Sequence, residues 1–200
     1  MSLILLTSAT SEPVTREEVK QHLRIESTNE DALVDNFIMV ARIQAENYMK
    51  RQIMTAQWRM TLEDFPSSTA VLEIPRPPLS SISTAVTVNF YKDTTIVSDN
   101  TYVASTVYTV DYQTDVARIY PIYDNEWPSC VTDGRRDAVR IDFWNGYPTR
   151  ASVPEPIKVW IKMKCGQLYE QREGARTIGG RIEHEHFNGL LDPYVVIKIV

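Results

Sequence analysis

The sequence predicts an α+β protein in which a helical core carries an inserted antiparallel β module. Two observations predict this class: apolar residues recur at helical spacing in residues 1–56 and 151–175, and they alternate with polar residues within 57–150. At 200 residues, with 43% hydrophobic and 24% charged residues, the chain is long enough to bury a core without disulfides or metals. Residues 176–200 follow the core as a C-terminal extension.

The first part, residues 1–56, predicts two helices. Thr15 and Glu18 have the spacing of a capping box, in which each side chain accepts a hydrogen bond from the other residue's backbone amide. After this short helix, residues 27–31 offer N-caps and acidic side chains for a second helix that runs to about Arg51. Its apolar stripe is interrupted only by Gln44 and otherwise consists of Leu33, Phe37, Val40, Ala41, Ala45 and Tyr48.

Residues 57–150 predict about six strands, because threonine, valine, tyrosine and isoleucine dominate and alternate with polar residues. Pro75–Pro78 cannot donate to a sheet ladder and is expected as an extended connection. Lys92–Thr95 is expected as a hairpin turn. The predicted strands are Trp58–Leu62, Val71–Ile74, Val86–Tyr91, Tyr108–Asp111, Ala117–Tyr120 and Val139–Trp144.

Residues 151–175 predict the third core helix, with Pro154 and Pro156 near its first turn, where missing amide protons cost nothing. The chain then passes through a glycine-containing connection to Tyr194–Val200, whose final six residues include five apolar β-branched ones. Left free, such a segment is prone to aggregate. We therefore expect it to pair, and both pairing within its own fold and docking on a partner chain remain open.

Charge and cysteine content exclude several classes of protein. A net charge of −5 argues against gripping nucleic acid over the whole surface, because phosphate neutralisation needs clustered lysine and arginine. Arg135 and Arg136 are interpreted as a solvated hairpin tip.

The apolar start, Met1–Leu6, lacks the basic region and cleavage site of a signal peptide. Cys130 and Cys165 are expected to be free thiols.

Glu183–His186 is the candidate metal motif of the sequence. On a strand, His184 and His186 would point the same way, as two ligands of one ion do. No third ligand is evident, so we interpret the motif as a solvated tether. Nucleotide-binding, zinc-protease and serine-hydrolase motifs do not occur in the sequence. We therefore expect no catalytic residue, no metal and no cofactor.

A carbohydrate-binding or hydrolytic β module is the alternative of another functional class. Asp111 with Asp115, or Asp124 with Glu126, would supply its carboxylate pair, and Trp127 is the tryptophan expected on a loop. Acids in such loops more often serve solubility, so a structural protein is the preferred interpretation. The other tryptophans are expected in the core: Trp58, Trp144 and Trp160.

Several segments together resemble one known family. Over roughly residues 1–175, the chain resembles phage head–tail connector (adaptor) proteins, a family also found in gene transfer agents. The resemblance rests on seven segments that occur in the order and spacing of that family. The matching segments are Glu12–Ile25, Asn29–Val34, Ala45–Tyr48, Gln57–Pro66, Ile74–Leu79, Val153–Ile157 and Tyr169–Glu173. The threonine-rich, polar β module departs from the family pattern.

The resemblance implies a non-enzymatic ring of about twelve copies beneath the portal protein, made in the host cytoplasm and located at the virion neck. Such a ring extends the DNA channel without sequence-specific binding or membrane contact, and it joins the head to a tail or stopper protein. A stopper or tail-completion protein is the nearer alternative. Because family members bind the portal partly through a C-terminal extension, the resemblance implies portal docking by Tyr194, Val195, Val196, Ile197, Lys198, Ile199 and Val200.

Overall fold

The computed structural model describes residues 1–80, 85–92, 100–130, 134–170 and 188–197. The chain divides into two compact units. The β unit consists of Met1–Thr10 and Thr55–Gly146, and the helical unit consists of Ser11–Met54 and Tyr147–Val200. Helices and antiparallel sheets are both present, so the predicted α+β class is confirmed.

The helical unit contains three α-helices in its described residues: α1 (Arg16–Leu23), α2 (Asp31–Met49) and α3 (Glu155–Glu170). The predicted capping box begins α1, with the Glu18 amide donating to Thr15 Oγ1 at 3.1 Å and the Thr15 amide donating to Glu18 Oε2 at 2.6 Å. All three helices pack against one another. They bury an apolar core that includes Val19, Val34, Ile38, Met49, Ile157 and Ile161.

The buried face of α2 differs from the predicted stripe. Tyr48 is exposed and Gln44 is exposed, whereas Arg42 and Glu46 are buried. The physical reason is that α2 packs against both α1 and α3, so its buried arc is wider than one apolar stripe. The two extra buried residues are charged but lie one turn apart, where they neutralise each other.

The β unit contains eight strands in its described residues, and all their pairings are antiparallel. A five-stranded sheet has the order β1-β2-β8-β4-β5, and a three-stranded sheet has the order β3-β7-β6. The strands are β1 (Ser2–Thr7), β2 (Ala56–Leu62), β3 (Leu72–Glu73), β4 (Val86–Tyr91), β5 (Asn100–Tyr102), β6 (Tyr108–Asp111), β7 (Arg118–Pro121) and β8 (Val139–Asn145).

One apolar core joins the two sheets. Alternate residues of β8, Val139, Ile141 and Phe143, are fully buried and cluster with Ile119 of the smaller sheet. Trp127 closes this core from a loop, with its ring stacked on Phe65 at a centroid distance of 4.9 Å. The residues that alternate with these lie on the outer faces of the two sheets.

Two of the eight strands, β1 and β5, were not predicted from the sequence. The apolar run of β1 lacks alternation because this edge strand exposes Ile4, Leu5 and Leu6 and buries little of its surface. The short β5 pairs only three residues with β4. The predicted turn at Lys92–Thr95 falls mostly on residues 93–99, which lie outside the described residues.

Candidate functional site

The C-terminal segment carries the docking residues predicted from the sequence, and the structure describes it from Asn188 to Ile197. Leu191 is fully buried in the helical unit. A 3₁₀ turn at Asp192–Tyr194 follows, and Pro193 suits its first turn. Beyond this turn the chain is extended at Val195. Within a few residues the segment thus changes from a buried side chain, Leu191, to an extended backbone.

Three side chains hold this segment. One comes from α2, one from α3, and the third is Arg51, which follows α2 closely. The Tyr48 hydroxyl donates to Asp192 Oδ1 at 2.6 Å, and this hydrogen bond raises the pKa of Tyr48. The Arg51 guanidinium donates to the Tyr194 carbonyl. The Trp160 indole donates to Asn188 Oδ1 at 3.3 Å. These contacts fix the path of the chain through Tyr194.

The predicted docking residues fall into three groups. Tyr194 and Val195 are half-buried, and Val196 is half-buried with its amide donating to the Met49 carbonyl at 2.9 Å. Ile197 is 79% exposed. Lys198, Ile199 and Val200 lie outside the described residues. Pairing within the fold therefore accounts for the amide of Val196, while the apolar side chain of Ile197 faces solvent.

A buried ionic cluster supports the seat of this segment. Glu46 Oε1 accepts from the Gln52 side chain at 2.8 Å and from the Ile53 amide at 3.1 Å. Glu46 also pairs with Arg42 at 3.1 Å, and Arg42 in turn pairs with Glu12 at 2.7 Å. Burial lowers the pKa of Arg42, but the hydrogen bond that Arg42 donates to Glu12 and the charge of Glu46 outweigh it, so the pKa is raised overall. Arg42 therefore stays charged.

This cluster explains how the turn after α2 keeps its shape. Lys50 has φ of 57°, the left-handed conformation common at helix ends, and its amide bonds back to the Glu46 carbonyl. The next residues then return towards Glu46, whose carboxylate holds them. Met49 and Arg51, which bind the C-terminal segment through backbone and side chain, are thereby fixed in position. The sequence analysis missed this cluster; the signal that could have indicated it is the Arg42–Glu46 pair one helical turn apart.

The residues considered for catalysis or metal binding do not assemble into a site in the described part of the chain. Among the described residues, no group of three or more histidine, cysteine or acidic side chains is placed to hold a metal ion. Glu183–His186 lies outside the described residues. Asp124 and Glu126 are exposed, and Asp115 is exposed near the half-buried Asp111. Trp127 occupies a loop as predicted.

Trp127 is nevertheless buried, and its indole donates to the Ala70 carbonyl at 2.8 Å. It is therefore not presented to a ligand. Of the remaining tryptophans, Trp160 is buried as predicted, while Trp58 and Trp144 are half-buried. The Trp58 ring carries the Arg76 guanidinium at 4.6 Å from its centroid.

Neither cysteine has the character of a nucleophile. Burial raises the pKa of the Cys165 thiol to about 12. Burial and a hydrogen bond from its thiol to Asp64 Oδ1 at 2.9 Å raise the pKa of Cys130 to about 11. Both are free thiols and stay protonated near neutral pH. Within the described ranges, no helix is long and apolar enough to cross a membrane.

The fold is similar to that of chains in solved structures of gene transfer agent particles. Three solved structures resemble the whole chain, each covering 100% of it and 98% of the matched chain. They are the neck of an empty gene transfer agent particle computed with C6 symmetry (TM-score 0.79, 15% identity), the virion of a native gene transfer agent particle (0.76, 18%) and the neck of the native particle computed with C12 symmetry (0.75, 20%).

A family comparison adds sequence evidence to this likeness of fold. The model of the phage gp6-like head–tail connector protein family matches residues 14–107. The resemblance drawn from the sequence motifs is thus confirmed. No curated protein matches the sequence.

Proposed function

We propose that this protein is a structural head–tail connector, or adaptor, at the neck of a tailed phage or phage-like particle, where it forms a ring under the portal protein and joins head to tail. The observation that carries the proposal is the match of residues 14–107 to the connector family. The likeness of the whole fold to gene transfer agent neck structures supports it.

The proposed mechanism is assembly rather than catalysis. Copies pack around a channel, and a head-to-tail contact repeated between neighbours closes a ring of about twelve when its rotation allows. DNA leaves the head through the lumen without being read. A net charge of −5 suits this task, because acidic side chains outnumber basic ones and the net charge does not attract phosphates.

The docking element of the proposal is the end of the C-terminal segment. Residues up to Val196 are tied to the helical unit, so the position and direction from which Ile197 emerges are fixed before a partner is met. Such preorganisation lowers the entropy cost of binding. An extended apolar segment can then add as a strand to an edge of the portal protein, with backbone hydrogen bonds for affinity and isoleucine side chains for specificity.

Two truncations separate docking from folding. We expect removal of residues 197–200 to abolish attachment to DNA-filled heads that carry a portal, with stability unchanged, because Ile197 is exposed. Removal of 194–200 also deletes the bonds to Met49 and Arg51, so it should lower stability as well. If the variant that lacks residues 197–200 attached to heads at the wild-type level, portal docking by this segment would be contradicted. Retention of the intact protein only on heads that already carry another neck protein would instead assign it to the stopper layer.

A further inference from the structure

The outer face of the three-stranded sheet presents an apolar and aromatic surface. Val71 and Tyr120 alternate with buried residues and are exposed on this face, and Ile122 is exposed just beyond the end of β7. Tyr123 is 96% exposed at the tip of a turn that is closed by the Asn125 amide donating to the Ile122 carbonyl at 2.9 Å. We call these four residues the tyrosine face. A tyrosine has only two side-chain torsions to fix on binding, which suits an interface anchor.

Carboxylates surround the tyrosine face. Glu73 and Asp111 flank Arg118 in the register of the sheet, and Arg118 pairs with Glu73 at 3.3 Å. Asp124 and Glu126 follow Tyr123 directly and are exposed. This acidic rim repels phosphate and also repels a second copy of the same face, because like charges brought together across an interface are unfavourable. The surface that covers it must therefore combine positive charge with apolar or aromatic groups.

The outer face of the five-stranded sheet has those properties. A groove of about 430 Å³ is lined there by three arginines, Arg59, Arg136 and Arg140, beside Ile4 of β1. Two carboxylates, Glu63 and Asp137, also line it, so its basic side chains outnumber its acidic ones. Arg136 stands exposed at the groove. We call this surface the arginine groove. Two of its guanidinium groups are held in place by carboxylates, Arg59 by Asp142 at 2.6 Å and Arg140 by Asp137.

An aromatic ring extends this arrangement. Arg135 and Arg140 lie over the Tyr91 ring at 4.3 and 5.0 Å from its centroid. Stacking on a ring and pairing with a carboxylate fix the guanidinium groups and leave further N–H donors for a partner. Preformed donors of this kind are typical of interface arginines.

We propose that the tyrosine face of one copy docks on the arginine groove of the next copy in the ring. The two surfaces lie on the outer faces of two sheets that share one core, so they point away from each other on a single β unit. A contact between two unlike surfaces is heterologous, and it repeats from copy to copy around a ring. Because the acidic tyrosine face and the arginine groove are complementary in charge, the partner of each surface is a second copy of the same chain. This inference rests on the proposed ring, and it adds the β unit to the contacts between neighbours.

The test reverses charges on the two surfaces. It measures the protein concentration at which DNA-filled heads that carry a portal are half-saturated. Arg136→Glu should raise that concentration about tenfold, and Glu126→Arg should do the same, because each places like charges in contact. The double variant restores the opposite charges at every contact and has the net charge of the wild type, so it should recover most of the loss. Arg136→Lys keeps the charge and serves as the matched control near the wild-type value.

A second measurement does not depend on affinity. With Tyr123→Cys and Arg136→Cys in the same chain, oxidation on the heads should produce covalent ladders of several copies, whereas either single variant should not. Single charge variants that saturate like the wild type, or a double variant that shows the two losses added, would overturn the inference while the connector function stands. Failure of the wild-type protein itself to bind the heads would instead refute the connector function.

Discussion

Replacing Glu46 tests the account of how the C-terminal segment is seated. Its carboxylate accepts from the Gln52 side chain and the Ile53 amide, and it pairs with Arg42. In Glu46→Ala the two neutral donors are left buried without this acceptor, at about 1 kcal/mol or more each. Arg42 keeps Glu12 as a partner at 2.7 Å, so the lost ion pair adds only about 1 kcal/mol more. We expect a destabilisation of about 3 kcal/mol.

Glu46→Gln separates the acceptor from the charge. The amide oxygen of glutamine can still accept from Gln52 and Ile53, so only the ion pair weakens and the expected loss is about 1 kcal/mol. Gln44→Ala, an exposed change on the same helix, is the control and should stay within about 0.5 kcal/mol of the wild type.

The assay is urea unfolding followed by the circular dichroism of the helices. That signal reports chiefly on the helical unit, which matters because a chain with two compact units need not unfold in one step. A Glu46→Ala variant as stable as Gln44→Ala would refute the reasoning that this cluster holds the turn after α2. A Glu46→Gln variant as damaged as Glu46→Ala would show that the charge, rather than the accepted hydrogen bonds, supplies the stability.

Three further predictions concern titration, thiol reactivity and packing. The hydrogen bond from Lys20 holds the pKa of Asp31 below its ordinary value of 3.8. The ionised Asp31 therefore stabilises the fold fully above pH 3.8, and this stabilisation is lost as the pH falls through the lower pKa of the folded state. The stability of Asp31→Asn should depend less on pH between these two pKa values, as measured by acid unfolding. With pKa values raised to about 12 and 11, Cys165 and Cys130 should react slowly with a thiol reagent at neutral pH and rapidly once the chain is unfolded, and rapid labelling of the folded protein would contradict their burial. Trp127→Ala should destabilise the β unit by about 3–5 kcal/mol in denaturant unfolding, whereas a loss under 1 kcal/mol would show that its stacked ring is dispensable.

Local signals in the sequence predicted most of the elements. The Thr15–Glu18 spacing defined the start of α1 because a capping box depends only on residues within one turn. Strands such as β4 (Val86–Tyr91) and β6 (Tyr108–Asp111) were predicted at their observed bounds, since one face of each is buried in a shared core and forces alternation. The edge strand β1 has no such constraint on its exposed apolar residues, so its periodicity carried no signal.

The seat of the C-terminal segment depends on contacts between residues distant in sequence. Tyr48 meets Asp192 and Met49 meets Val196 across most of the chain length, and no local pattern encodes such a pairing. Burial of Arg42 and Glu46 was likewise missed, because an apolar stripe indicates only the face that packs on one neighbour. It does not show that a second helix covers the adjacent, charged face. The docking of Tyr194–Val200 on a portal stays a prediction.

The connector function itself is tested most directly by adding the purified protein to DNA-filled, tailless heads that carry a portal, sedimenting the heads, and counting copies per particle. We expect saturable binding at about a dozen copies per head, as a closed ring beneath the portal requires. Absence of binding to intact portals by the folded protein, or binding that rises without saturation, would contradict it.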